Sequence, residues 1–325
     1  MRNWRQASAT LAACAGVAMA IALPAAAQNF PAKPITIVVG SSPGSTTDGL
    51  ARAISQEVTQ ITKQPVIVDN KPGASGGIAA QAVARAAPDG YTVFMTTNTT
   101  QAANPFLFKR LNYDPVGDFT PVAALVKGYL LMVTNPGVKA KTVSEFIALA
   151  RKEPGKLTFG SGSSSARVAG ELFQQMTGVS MTHVPYKANP NAVIDLVSGQ
   201  IDMMIVDLTT SLPQVRAGKL NALGVTSLQR SPLVPELPTL NETGLPGYQI
   251  SYWNALYAPA HTPEPVVKRL NELMLRAMQA DGVKRFVQQN GMEVFTSSPQ
   301  ELKAFQASEV ERWGKIIKTA NIQPE

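Results

Sequence analysis

Two stretches rich in glycine and hydroxyl side chains are where this chain could do chemistry. The first is Gly40-Ser41-Ser42-Pro43-Gly44-Ser45-Thr46-Thr47-Asp48. It follows the apolar run Ile35–Val39 and precedes Leu50, Ala51, Ile54, Val58 and Ile61, which recur at helical spacing. A strand–loop–helix order leaves free backbone N–H groups at the helix start, where the helix dipole favours an anion. The hydroxyls of Ser41, Ser42, Thr46 and Thr47 add donors. Ser45 and Asp48 also stand at capping-box spacing, so a capped helix after a tight loop is the plainer reading of the same residues. The second stretch, Gly160-Ser161-Gly162-Ser163-Ser164-Ser165, repeats the pattern. A short strand, 157–159, precedes it, and a helix through Val168, Leu172, Phe173 and Met176 follows it, ending at Gly178. Neither loop contains arginine, so an anion would be held by N–H and O–H groups rather than by a guanidinium fork. Arg167 and Lys187 are the cations nearby.

A third stretch, Gly73-Ala74-Ser75-Gly76-Gly77, matches G-x-S-x-G. Read as a hydrolase, the chain would use Ser75 as nucleophile, with Asp207 and His261 following in the right order. Three features weigh against it. The preceding strand ends near Val68, too early for a sharp elbow. His261 is one of only two histidines and adjoins a helix start at Thr262-Pro263. A glycine-rich helix entry also explains the segment. His183 and His261 are far apart and there is no His/Cys cluster, so no zinc spacing exists. No P-loop or dinucleotide fingerprint is present, and no cofactor is expected.

Around these loops the chain alternates strands and helices. Strands at 35–39, 66–68 and 91–95, with helices near 46–61 and 78–87, make β-α-β-α-β, the pattern of a parallel α/β layer. A polar loop, Thr96 to Gln101, follows the third strand. Strands are expected at 119–125 and 129–133, then a helix capped by Thr142 or Ser144. After the second hydroxyl loop come a strand near 179–184, a helix with Asn189 as N-cap and Pro190 as first residue, and strands at 201–206 and 220–225. The aromatic stretch 248–257 is read as crossing back to the first half. Helices start at Thr262-Pro263 and at Ser298-Pro299-Gln300-Glu301, a second capping box. Two α/β halves with matching loops imply a ligand held between them, at the carboxyl ends of the strands. Asn98, Tyr186 and Asp207, each just past or at a strand end, join the candidate site residues.

The N-terminus reads as a secretory leader. Arg2 and Arg5 precede an apolar segment, 11–23, that is shorter than the roughly 20 residues a bilayer needs. Ala25-Ala26-Ala27 then fits a cleavage site, with Gln28 as mature start. A competing reading is lipoprotein processing at Cys14. Cleavage after Ala27 leaves 298 residues, lowers the formal charge from +7 to +5 and removes the only cysteine. The mature chain then has no disulfide and relies on its core. The positive charge is dispersed and accompanied by no nucleic-acid motif; it suits a small anionic ligand.

The chain resembles the periplasmic solute-binding proteins of tripartite tricarboxylate transporters, the TctC or Bug (Bordetella uptake gene) family. The resemblance covers essentially all of the mature chain. It rests on 34–52, on Val68-Asp69-Asn70-Lys71-Pro72-Gly73-Ala74-Ser75-Gly76-Gly77, on Ala87-Pro88-Asp89-Gly90-Tyr91-Thr92, and on His183-Val184-Pro185-Tyr186-Lys187. Asp195-Leu196-Val197-Ser198-Gly199-Gln200-Ile201-Asp202 and the segment from Pro238-Thr239 to Gly244-Leu245-Pro246-Gly247-Tyr248 complete it. It implies an α/β, two-domain periplasmic binding protein of type II with its ligand cleft between the domains. The division read from the chain is 28–124 with 250–325, and 125–249. It further implies a monomer, no enzyme activity, and capture of a small carboxylate for delivery to membrane transporter subunits. One carboxylate would be gripped, often through water, by Ser42, Pro43, Gly44, Thr46, Thr47 and Asp48. A second grip would come from the other loop, Gly160 to Ser165, with Ser161, Gly162, Ser163 and Ser164 as its site residues. The chain departs from the family where Ser45 replaces the second glycine of P-G-G-x-x-D. Its second loop is shorter and serine-rich, and Arg167 stands where histidine is frequent.

Overall fold

The computed structural model describes residues 30–324. The leader and both readings of its cleavage lie outside the described residues. The first α/β unit forms as its periodicity predicts. β1 (Ile35–Val39) is a β-branched run whose side chains are almost all buried, and α1 (Thr46–Thr62) turns Leu50, Ala51, Ile54 and Val58 into the core. Lys63, with φ 59°, closes α1 in the left-handed conformation. β2 (Val66–Asn70), α2 (Gly77–Ala84) and β3 (Thr92–Thr97) follow. β1 pairs parallel with both β2 and β3. The loop after β3 is more structured than expected: Thr99–Ala103 forms a π-helical turn that leads into α3 (Asn104–Leu107).

The strands expected at 119–125 and 129–133 are one element, β4 (Phe119–Thr134). Two register shifts, between Pro121 and Ala123 and between Ala124 and Val126, let a proline sit within the sheet. Lys127-Gly128 does not break the strand, because Gly128 lies opposite Tyr252 and a Cβ there would meet the Tyr252 hydroxyl oxygen at 2.5 Å. The missing side chain is what admits the ring.

The second half runs α4 (Val143–Lys152), β5 (Thr158–Ser161), α5 (Ser164–Thr177), β6 (Thr182–Pro185), α6 (Asn189–Ser198), β7 (Met203–Asp207), α7 (Leu208–Arg216) and β8 (Asn221–Val225). The chain then returns through β9 (Ser251–Pro259) to α8 (Glu264–Met278), α9 (Asp281–Gln289), β10 (Met292–Val294) and α10 (Pro299–Thr319). α9 and β10 were not anticipated; β10 is too short to show a period, and only its pairing with β4 defines it. The strand order is β2-β1-β3-β9-β4-β7-β5-β6, with β8 and β10 also on β4. β4 ties the two α/β lobes together: its first part pairs with β9, and Leu130 to Thr134 pair with β7. β9 returns antiparallel between β3 and β4, as the crossing stretch predicted.

Two caps are corrected. At α6 the N-cap is Ala188, and Asn189 is the first helical residue, because its side chain is engaged by the loop after β5 rather than by its own helix. At α1 only half of the capping box forms. Ser45 Oγ accepts from the Asp48 N–H at 3.3 Å, but the Asp48 carboxylate turns to the Gly44 N–H, at 3.0 Å. The box at Ser298 and Glu301 forms in full.

Candidate functional site

The carboxyl ends of β1, β3, β5 and β7 meet between the lobes. There they enclose a cavity of about 100 Å³, counted as room for the centres of water molecules. Its polar groups are hydroxyls and amides: Ser41, Ser45, Thr46 and Thr47 from one lobe, Ser163, Ser165 and Asn189 from the other, and Asn98 beneath. Met95, Leu130 and the Tyr252 ring supply apolar surface, and exposed Lys187 stands at the edge.

Each loop delivers a helix N-terminus. The N–H groups of Thr46 and Thr47 open α1, and those of Ser164 and Ser165 open α5. None of the four has a backbone acceptor among the described residues. The hydroxyls are oriented by what they accept. Ser163 Oγ accepts from the Ala166 N–H at 3.3 Å and from Asn189 Nδ2 at 3.3 Å. Thr47 Oγ1 accepts from Asn254 Nδ2 at 2.8 Å, and Ser165 Oγ accepts from Asn98 Nδ2 at 2.9 Å. A hydroxyl has one proton and two lone pairs, so these three keep their protons to donate.

The lobes are latched across the cavity. Thr46 Oγ1 donates to Asp207 Oδ1 at 2.6 Å, and Ser164 Oγ donates to Asn104 Oδ1 at 3.1 Å. Asp207 ends β7, is 8 % exposed, and caps α7 by accepting from the Thr210 N–H at 3.0 Å and from the Thr210 hydroxyl. Its Oδ2 accepts from Asn189 Nδ2 at 3.0 Å. The Tyr252 hydroxyl lies beside Thr46 and Thr209 without a hydrogen bond of ordinary geometry to either. Burial, with the Asp207 charge added, pushes it well above the usual tyrosine range, so it stays protonated.

Of the residues read from the sequence, Thr46, Thr47, Asn98, Gly162, Ser163 and Asp207 line the cavity. The others stand back from it, for local reasons. Ser42, Pro43 and Gly44 form the outer turn of the first loop. Ser161 is still in β5, where its hydroxyl pairs with His183 Nε2 at 2.7 Å. Ser164 faces Asn104 instead. Tyr186 turns its hydroxyl to Asp195 at 2.8 Å; burial together with that bond pushes it up to about 12. Ser165 of the second loop and the nearby cation Lys187 also line the cavity, as do Asn189 and Tyr252, which the sequence did not single out as site residues. Asn189 had a signal, its place before Pro190, but that was read as a cap.

Asp48 braces the first loop from behind. Its carboxylate accepts from Gly44 N, from Asn70 Nδ2 at 3.0 Å and from Arg52 Nε at 3.1 Å. Burial alone would raise its pKa, but the Arg52 and Gly44 bonds, the Asn70 amide and the Arg52 charge together hold it below the ordinary value. A folded pKa below the unfolded one gives stability that is fully present above about pH 4 and lost as pH falls through the folded pKa. Asp48→Asn is therefore expected to melt below wild type at pH 7, with the gap narrowing as pH drops below about 4. A gap that stays constant from pH 7 to pH 3 would mean that the charge does not brace the loop.

The Ser75–Asp207–His261 alternative does not assemble. Ser75 lines the cavity at the carboxyl end of β3. β9 runs antiparallel to β3, so its first residues reach the cavity, and His261, after its last residue, is exposed at the far end of the sheet.

Residues 50–322 match the model of TctC, the tripartite tricarboxylate transporter family receptor. The chain belongs to this family. It is a solute-binding receptor rather than an enzyme. It is 37 % identical over 291 residues to a protein from the tcbD-tcbE intergenic region of a Pseudomonas sp., covering 89 % of this chain and 86 % of the relative. It is 33 % identical to protein BugT of Bordetella pertussis, covering 92 % of each. Among solved structures, R. palustris Rpa4515 with adipate superposes with a TM-score of 0.89 at 35 % identity, covering 91 % of this chain and 100 % of that one. MatC from Rhodopseudomonas palustris with bound malate gives 0.84 at 34 %, covering 89 % and 100 %. The two-domain periplasmic binding protein fold with an interdomain cleft is thus the fold of this receptor. Among the described residues no helix is long and apolar enough to cross a membrane.

Proposed function

We propose that this receptor captures a small carboxylate in the interdomain cavity and, as a periplasmic monomer released from its leader after Ala27, delivers it to the membrane subunits of a tripartite tricarboxylate transporter. The observation that carries the reading is the set of hydroxyls on Thr47, Ser163 and Ser165. Each accepts a bond from the protein, so its proton is free, and all three border one cavity together with two open helix N-termini. Such a wall solvates an anion without an arginine. The similar proteins solved with adipate and malate support the same class.

A thermal-shift screen of mono-, di- and tricarboxylates tests it. A ligand at 100 times its Kd adds about 2.7 kcal/mol of stability. A panel in which no acid shifts the melting temperature, while neutral or cationic solutes do, would overturn the reading. With a ligand in hand, Thr47→Ala or Ser163→Ala is expected to weaken binding roughly ten- to a hundredfold, since a hydrogen bond to a charged group is worth about 1.5–3 kcal/mol. Unchanged affinity in both would remove these hydroxyls from the grip.

Release requires the latches to part. The crossing segments near 119–128 and 249–258 are the hinge, dividing 28–124 with 250–325 from 125–249. Small-angle scattering is expected to give a smaller radius of gyration with saturating ligand; equal radii would exclude closure.

A further inference from the structure

From the arrangement around Asp207 we infer that the receptor prefers acids carrying a hydrogen-bond donor on the carbon next to the carboxylate, a 2-hydroxy or 2-amino acid, over the same acid without it. The inference deepens the carboxylate reading and rests on it. A buried carboxylate in the wall of a cavity built for an anion is costly unless it has donors to accept from. The donors of Asp207 are unevenly shared. Oδ1 takes three, from Thr46 Oγ1, Thr210 N and Thr210 Oγ1, whereas Oδ2 takes one, from Asn189 Nδ2. A carboxylate oxygen has two lone pairs, which three donors crowd at Oδ1, while at Oδ2 one lone pair is still open. Latching and capping α7 use Oδ1; neither accounts for the spare site beside the cavity.

The spacing says where that donor belongs on the ligand. The amide nitrogen of Asn189 donates to both Ser163 Oγ, at 3.3 Å, and Asp207 Oδ2, at 3.0 Å. Two bonds of these lengths from one planar NH2 group place the two oxygens roughly 5–6 Å apart. One of them has a free proton for a carboxylate oxygen, and the other has a free lone pair for a donor. Among ligands that carry a carboxylate, one with a hydroxyl or ammonium on the adjacent carbon forms the shortest such bridge between them. A second ionised carboxylate in the same place would face Asp207 as a like charge. A ligand hydroxyl or ammonium meets the need instead.

Isothermal titration of the receptor with matched pairs decides the matter: lactate against propionate and malate against succinate, in both enantiomers, with alanine as the ammonium arm. The donor-bearing member of a pair is expected to bind at least tenfold more tightly in one enantiomer. Asp207→Asn keeps a capping oxygen for α7 and is expected to cut that ratio at least fivefold. A purely structural Asp207 would weaken both members equally and leave the ratio where it was. Equal affinities in wild type, or a ratio unchanged in Asp207→Asn, overturns the inference while leaving the carboxylate reading intact. If the variant fails to fold, the wild-type ratio alone decides. If no acid binds at all, the carboxylate reading falls and the inference with it.

Discussion

Gly162→Ala is expected to lower ligand affinity more than a hundredfold while leaving a folded protein. A Cβ at this position would lie 2.0 Å from the Ala188 carbonyl carbon, 2.2 Å from the Asn189 nitrogen and 2.4 Å from the Ala188 oxygen. These are backbone atoms, which cannot swing aside as a side chain would, so the loop after β5 and the loop before α6 must part. Overpacking of this kind costs about 1–3 kcal/mol, occasionally more. The local consequence is larger than the global one. Gly162 N donates to Asn189 Oδ1 at 3.0 Å, and the same Asn189 amide holds Ser163 and Asp207 in place. One methyl group therefore disturbs the second loop, the start of α6 and the latch residue of β7 together. A hundredfold loss corresponds to about 2.7 kcal/mol, the worth of one or two hydrogen bonds to a charged ligand. Titration with any acid that stabilises wild type checks it, alongside a melting curve. Affinity within fivefold of wild type would show that the two loops are not coupled through this contact.

Glu309→Ala is expected to destabilise the receptor by about 3–5 kcal/mol, the usual cost of removing one partner from a buried charged network. Glu309 lies on α10 and is 5 % exposed. Its Oε2 accepts from the indole N–H of Trp253 at 2.9 Å and of Trp313 at 3.1 Å, and its Oε1 accepts from Arg312 Nη1 at 3.0 Å. Truncation leaves both indoles without acceptors, each an unsatisfied donor costing about 1–3 kcal/mol. Trp253 is in β9, between Tyr252 and Asn254, which reach the cavity wall and the Thr47 hydroxyl. Loosening it should weaken binding as well as folding. Glu309→Gln retains an acceptor oxygen and is expected to lose less than half as much. Denaturant unfolding followed by tryptophan fluorescence measures both; a Glu309→Ala protein within 1 kcal/mol of wild type would remove the carboxylate from this role.

What the amino-acid order determined here is what can be settled within a few residues. The β-branched run Ile35–Val39 and the helical stripe after it define β1 and α1. Thr142 and Ser298 start helices because a hydroxyl at the N-cap needs only the N–H three residues on. The two hydroxyl loops were legible on the same ground, because each is a contiguous stretch. What only the tertiary structure decided lies across long separations. Thr46 meets Asp207, Thr47 meets Asn254, and Asn98 meets Ser165. No local spacing encodes such pairs; they follow from β4 and β9 crossing between the lobes. The same holds within a loop. Ser161, Ser163, Ser164 and Ser165 are equivalent as letters, yet Ser161 belongs to a strand and faces His183, and Ser164 faces Asn104. Ser163 and Ser165 reach the cavity. Successive helical residues point about 100° apart, so where α5 begins sets which hydroxyls face the ligand. The Ser163 cap sets that starting point, and Gly162 packs it against the backbone of the next loop, a contact that exists only once the chain has folded.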